Sequence, residues 1–417
     1  MTKGRAAQST VGFVDRYCEH YRDLFEDVRS FEYFSLLHVG LISPLPRKSL
    51  PAIARAVGLN DGQGLHHLLA EGDWSVEALR DKRLALIKQA LGERSFVLCI
   101  DETGDKKKGE TTDYSAHQYI GNLGKVENGM VSVNAYGVVD DVPFPLLFAV
   151  FKPERCLKAG DVYRSKPQLA IELIHELHQR GFRFQLVLAD RLYGESDPFI
   201  AELRTLKLDF VVAIRDNHAV WTPKGTRLRY TRWRPFERVF SDGSTETRFV
   251  SEVIFGQRGL TRYFYLTTDP VTLPAATTYL VMTNLTGNVR HTLGNLYGLR
   301  TWIEYGFKHI KNELGWADYR LTDYPAIERW WEIVSSAYWM VATHAAAFQP
   351  MAFAQSPVRQ HPHWELASGW KHTLNNLRLL IQPSLALYLL LPWLTVFEIP
   401  HLARALHQLV ACLRLCT

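Results

Sequence analysis

At 417 residues, 47% of them hydrophobic and 12% aromatic, the chain is long enough for two or three domains and too rich in core-forming side chains to be disordered. Its 48 Lys and Arg against 43 Asp and Glu leave a formal charge of +5, so a polyanionic partner is allowed but has to be argued from local patches. The five cysteines, Cys18, Cys99, Cys156, Cys412 and Cys416, form no CxxC pair and no zinc spacing with histidine, which excludes a zinc module or disulfide framework and suits a reducing cytosol.

Residues 1–12 read as a tail without the continuous apolar stretch of a signal peptide. Residues 13–92 carry helical periodicity, with turn signals at 43–46 and 58–62. Within them, 50–57, a Gly58-led turn and 61–71 have the outline of a helix-turn-helix, the second helix opened by Asp61. That second helix bears Gln63, His66 and His67 rather than arginine, so a plain helical hairpin is an equal reading.

A strand-rich part follows. Residues 96–100 are a five-residue apolar run ending at Asp101, as expected of a central buried strand. Residues 131–139 and 144–151 read as a hairpin with a four-residue loop, 140–143, and Pro145 puts the second strand at an edge. Residues 167–180 are an amphipathic helix, 184–189 a buried strand ending at Asp190, 197–206 a helix and 209–214 a strand. This alternation predicts an α/β plan with a mixed sheet.

Between residues 215 and 262 ten Arg and Lys face five Asp and Glu, interleaved with Trp221, Tyr230, Trp233 and Phe236. Alternation through Arg227, Arg229, Arg232 and Arg234 predicts short strands with one basic face, suited to gripping a phosphate backbone or to a solvated sheet. The α/β pattern resumes at 279–283, and from about 325 the chain is helical. Residues 379–397 approach the length of a membrane span, but Pro383 and Pro392 interrupt them; two buried helices broken at the prolines, with no membrane partner, are expected.

The densest chemical signal lies at 297–311. With Tyr297 at zero on a helical wheel, Arg300 falls at about 300°, Glu304 at about 340°, Lys311 at about 320° and Lys308 at about 20°. Leu299, Ile303, Phe307, Ile310 and Leu314 form the adjacent apolar arc. A carboxylate framed by cations can serve a metal while the cations serve phosphates. Asp101 and Asp190, at strand ends where α/β sheets open into crevices, supply two more acids. Three convergent carboxylates repel unless a hard cation sits among them, and two Mg²⁺ ions would clamp both oxygens of an in-line phosphoryl displacement.

The order Asp101, Asp190, Glu304, with Tyr297-x2-Arg300-x3-Glu304-x6-Lys311, resembles the DDE transposases of bacterial insertion sequences, specifically the group with the Tyr-Arg-Glu-Lys (YREK) motif. The intervals of 89 and 114 residues between the acids agree, and the segment Asp101 to Gly109 is similar to the first-aspartate region of that family. The resemblance implies an RNase H-like catalytic core, a mixed sheet flanked by helices, in two parts (93–214 and 279–345). A β-rich insertion domain (215–278), an N-terminal helical DNA-binding domain (1–92) and a C-terminal helical region (346–417) would complete the chain. It implies a metal-binding catalytic triad of Asp101, Asp190 and Glu304 using two Mg²⁺, replaceable by Mn²⁺, with Tyr297, Arg300 and Lys311 on the DNA. Lys308, Lys106, Lys107, Arg229, Arg232 and Trp233 are further candidate DNA contacts. The partners implied are double-stranded DNA, both transposon ends and target, and a second copy in a homodimeric complex, in the bacterial cytoplasm at the nucleoid. A nuclease or resolvase without strand transfer, and a transposase-derived DNA-binding protein without activity, are the competing readings.

Overall fold

The computed structural model describes every residue except 1–4, 110, 219, 221–224, 241–243, 349–355 and 417. Trp221 and the first four residues of the expected tail therefore lie outside the described residues. The helices of the N-terminal part are α1 (Gly12–Glu19), α2 (Val28–Ile42), α3 (Leu50–Ala56), α4 (Gln63–Ala70) and α5 (Val76–Leu91). Asp27 and Ser75 cap α2 and α5 by accepting from the backbone N–H groups of Ser30 and Ala78. Asp61 does not cap α4; its Oδ1 takes the Gln63 N–H from one residue before the cap position, Gly62.

Next come β1 (Phe96–Lys106), β2 (Ala116–Ile120), β3 (Lys125–Val139) and β4 (Val142–Val150), then α6 (Lys166–Gln179), β5 (Phe184–Ala189), α7 (Arg191–Gly194), α8 (Asp197–Thr205) and β6 (Phe210–Ile214). The strands β7 (Leu228–Tyr230), β8 (Arg234–Val239), β9 (Thr245–Phe255), β10 (Arg262–Thr267) and β11 (Tyr279–Thr283) follow, and then α9 (Leu293–Gly298) and α10 (Thr301–Lys308). The chain closes with α11 (Tyr324–Ala342), α12 (Trp370–Val396) and α13 (Pro400–Cys416).

Two compact units divide the chain. Residues 93–108 and 114–306 form one; residues 1–92, 109–113 and 307–417 form the other. The first is organised by one mixed sheet in the order β2-β3-β1-β5-β6-β11-β10-β9-β7, with β4 on β3 and β8 on β9. β1, β5 and β6 are parallel, as the helical crossovers between β4 and β5 and between β5 and β6 require, and β3 and β11 flank them antiparallel. The centre is apolar on both faces: all five residues of β6, and Phe96 to Ile100 of β1, are buried. The strands of the basic stretch 215–278 are rungs of this same sheet.

Three expectations for this unit are corrected. β1 does not stop at Asp101; it runs on to Lys106 because β3, longer than periodicity suggested, pairs with it as far as Lys106↔Gly129. The β3–β4 loop has two residues rather than four. Asp140 and Asp141 both have positive φ (46° and 62°), and such a left-handed pair matches the twist of a tight hairpin. The segment 297–311 is not one helix. It breaks between α9 and α10, and residues 309–313 are π-helical, so the single 3.6-residue wheel does not hold across it. Ile303, Ile310 and Leu314 of its expected apolar arc are buried, whereas Leu299 and Phe307 are only half-buried. As expected, β4 pairs only with β3 among the described residues, and a register break opposite Ala135 and Tyr136 lies beside Pro145.

The helical unit is built on α11, whose residues from Trp330 to Ala342 are buried throughout. Trp316 stacks on Trp331 with centroids 4.6 Å apart, and buried Glu332 is held by Arg80 and by fully buried Arg83. Here a fourth expectation fails. α12 is one helix of 27 residues with Pro383 and Pro392 inside it, and its distal half is open, with Trp393 64% exposed. It is long and apolar enough to cross a membrane by length and composition alone, and 22% of its most apolar window is buried.

Candidate catalytic carboxylates

The parallel ladder between β1 and β5 ends at the pair Ile100↔Ala189. The next residue on each strand is an aspartate, so Asp101 and Asp190 leave the ladder side by side. β1 continues antiparallel to β3, with Asp101 opposite Asn134, while the chain after β5 turns at once into α7. Asp190 is the cap of that helix, its Oδ1 accepting from the Leu192 N–H at 2.9 Å. Capping and catalysis are compatible, since a cap uses one carboxylate oxygen and leaves the other for a ligand. Behind α7 the chain is tight: a Cβ on Gly194 would stand 1.9 Å from the Ala213 carbonyl oxygen, so only glycine lets α7 lie this close to β6.

Glu304 reaches the same cluster through the helix break. Arg238, on β8, donates to the carbonyls of Gly294 (3.2 Å) and Gly298 (3.1 Å), satisfying the C-terminal end of α9. Asn295 adds a two-way bond with β8, donating to the Glu237 carbonyl and accepting from the Val239 N–H. With α9 ended there, Arg300 sits in the joint, and α10 carries Glu304 one turn later. Arg300 Nη1 donates to Asp101 Oδ2 at 2.9 Å and Nη2 to Glu304 Oε1 at 2.9 Å. Arg300 is 17% exposed and Glu304 48%. The Tyr297 ring lies 6.0 Å from the guanidinium.

Burial raises the Asp101 carboxyl to about 7, the charge of Asp190 adding to it and Arg300 opposing it. Burial likewise pushes the Tyr297 phenol up to about 12. For Arg300 burial works against the charge, but Tyr297 and the carboxylates of Asp101, Glu304 and Asp190 raise it further, so it stays a cation. Alternation along β1 turns Glu102 away from Asp101, to an ion pair with Lys166 at 2.7 Å. Glu102 Oε2 and the hydroxyl of buried Tyr193, three residues after Asp190, lack a hydrogen-bond partner among the described residues.

Asp101 and Asp190 fit a hard divalent cation. Both offer oxygen, and the mutual repulsion that helps raise Asp101 is what such an ion relieves. Glu304, engaged by Arg300, is not yet part of that donor set: among the described residues no three His, Cys, Asp or Glu are placed to share one ion.

The other expected DNA contacts are dispersed. Lys106 ends β1 and pairs with Glu127 at 2.9 Å; Lys107 follows it, its N–H bonded to the Asn128 carbonyl. Arg229 is exposed on β7 and donates to the Gly256 carbonyl, and exposed Arg232 and half-buried Trp233 lie between β7 and β8. Lys308 and Lys311 belong to the helical unit. Sequence reasoning missed Arg238, Gly194, Gly294 and Gly298. Arg238 looked like one more residue of a basic strand, and the glycines carry no helical or strand signal of their own.

Comparison with known proteins adds to this geometry. Residues 23–248 match a family described as DDE superfamily endonuclease, and residues 157–340 match the transposase DDE domain. The probable transposase for insertion sequence element IS701 of Microchaete diplosiphon is 55% identical over 329 residues, covering 79% of this chain and 87% of that protein.

Proposed function

This chain belongs to the DDE transposases of insertion sequences, and on that premise we propose that it binds the terminal inverted repeats of its element, cuts the ends by metal-dependent phosphodiester hydrolysis and joins the freed 3′-OH to target DNA. The observation that carries the reading is the emergence of Asp101 and Asp190 side by side past the last parallel pair, with Arg300 linking Asp101 to Glu304. The order β4-β3-β1-β5-β6, antiparallel through β1 and parallel after it, supports an RNase H-like core.

Family membership implies divalent-metal dependence; we take the ions to be two Mg²⁺, with Mn²⁺ able to replace them. Bound by Asp101 and Asp190, with Glu304 as the third ligand, they would activate water and steady the charge that develops on the phosphate. Arg300 offers a planar fork that suits carboxylate and phosphate alike. In the free protein it bridges Asp101 and Glu304; on DNA it would exchange them for a phosphate. Tyr297 and Lys311 complete the YREK motif and would contact the end beside the cut. Lys308, Lys106, Lys107, Arg229, Arg232 and Trp233 would extend the contact along the backbone. The working form is a homodimer on paired ends, in the cytoplasm at the nucleoid.

The test is cleavage of a duplex carrying the element's ends, with Mg²⁺, by wild type and Glu304→Gln. Loss of cutting by at least 100-fold is expected, and undiminished cutting would sink the triad. Pre-cut ends supplied with target DNA decide strand transfer: an enzyme that only hydrolyses yields no joined product.

A further inference from the structure

At the far edge of the sheet a cavity of about 750 Å³ opens between the end of α8 and the turn joining β9 to β10. Its position follows from register. Arg262 begins β10 and pairs with Thr283, which pairs in turn with Val211 near the start of β6. Arg204 and Lys207 precede β6 in the chain. Asp190 lies just past the end of β5, which runs parallel to β6. The register sets Arg262 level with Leu188, two residues short of Asp190, and β6 and β11 lie between β5 and β10, so three strand spacings, roughly 15 Å, separate the cavity from the carboxylates.

The charges there do not balance. Glu252, 1% exposed, accepts from Arg258 at 3.0 Å, Arg262 at 2.9 Å and Arg290 at 3.1 Å. Burial alone would raise its carboxyl, but these three guanidinium groups hold it at about 2, so it is ionised at any working pH. One arginine neutralises one carboxylate; the other two are surplus. Arg204, fixed by a 2.7 Å bond to Thr261, and Lys207 line the same cavity and add to the excess. Arg258 is 54% exposed at the mouth, with its Nε and Nη2 both on Glu252. Gathering like charges this closely is unfavourable unless an anion shares the site, and forked guanidinium groups match the oxygens of a phosphate.

We propose that this cavity is a second phosphate-binding site, distinct from the carboxylate cluster, whose phosphate group comes from a DNA backbone held at the far edge of the sheet or from a free phosphate. The site does not depend on the catalytic reading.

The double variant Lys207→Gln, Arg258→Gln tests it, because Arg262 and Arg290 remain to hold Glu252; an unchanged melting temperature confirms the fold. Fluorescence anisotropy with a labelled 40-base-pair duplex, in EDTA, is measured across a salt series, and inorganic phosphate is titrated by calorimetry. If the source is DNA, the slope of log K against log salt falls by about two units in the variant. If the source is free phosphate, that slope is unchanged and the heat of inorganic phosphate binding, seen in wild type, disappears. Identical behaviour of variant and wild type in both measurements overturns the proposal. Glu304→Gln is read by cutting, and Lys207→Gln, Arg258→Gln by binding in EDTA, so failure of catalysis and failure of this site are read separately.

Discussion

Arg300 Nη1 donates to Asp101 Oδ2 at 2.9 Å across 199 residues of sequence. Glu304 shares the guanidinium, its Oε1 accepting from Nη2 at 2.9 Å. The arginine therefore occupies the coordinating side of a carboxylate that is also expected to bind a cation.

Replacing Arg300 with Gln is expected to separate two effects. The half-buried Asp101 loses its counter-charge, which destabilises the free protein by about 1–3 kcal/mol. A divalent ion no longer competes with the guanidinium, so 5 mM Mn²⁺ should raise the melting temperature of the variant more than that of wild type. Equal Mn²⁺ shifts in the two proteins would show that Arg300 does not stand in the ion's place.

Gly194→Ala is expected to weaken the fold and the site together. The new Cβ meets the backbone carbonyl of Ala213, which cannot swing aside, and α7 must lift from β6. Overpacking of this kind costs about 1–3 kcal/mol. Because the Gly194 N–H bonds the Asp190 carbonyl at 3.0 Å, end cleavage should fall more than stability accounts for. Gly121→Ala, with open space around it, is the control and should behave as wild type in both denaturation and cleavage.

Glu332→Gln in α11 is expected to cost about 3–5 kcal/mol, since it leaves fully buried Arg83 without its carboxylate. The urea midpoint measures this. The double variant Arg83→Met, Glu332→Leu should recover much of the loss, because it removes both charges from the interior. A double variant no more stable than the single one would mean that the pair supplies something beyond mutual neutralisation.

The helical unit should lose stability in mild acid. Burial pushes the His38 imidazole from 6.5 down to about 4, with its ring nitrogens on the Phe34 carbonyl and the Ser336 hydroxyl. The folded value lies below the unfolded one, so the unfolded chain takes the proton first. The contribution is whole above about pH 6.5 and is lost as pH falls toward 4, amounting to about 2 kcal/mol by pH 5. Chemical denaturation at pH 7 and pH 5 should show a smaller drop for His38→Gln than for wild type; parallel curves would remove His38 as the cause.

Much of this architecture could be read from residue pattern. The strand Phe184–Ala189 has the bounds its pattern predicts, because Leu186 to Ala189 are buried on both faces and such a stretch needs consecutive apolar residues. Asp101 and Asp190 stood out because each ends such a run. The failures have one source. Glu102 to Lys106 have no strand-like pattern, yet they are β because β3 lies alongside and pairs with them. Pro383 and Pro392 sit inside α12, whereas composition by itself argued for two helices.

By itself the sequence singled out the candidate side chains, three acids and a Tyr-Arg-Glu-Lys spacing, and the largely apolar central strands of the sheet. Such information is local, since a run of apolar residues or a fixed spacing is complete within one segment. Tertiary structure alone decided that the presumed single helix breaks at Arg300. The break depends on Arg238, which is distant in sequence and takes up the carbonyls at the end of α9. The same packing decided that Arg300 lies between Asp101 and Glu304, and that surplus arginines gather around Glu252. Hydrogen bonds and charge balance join groups far apart in the chain, and no window of sequence contains both partners.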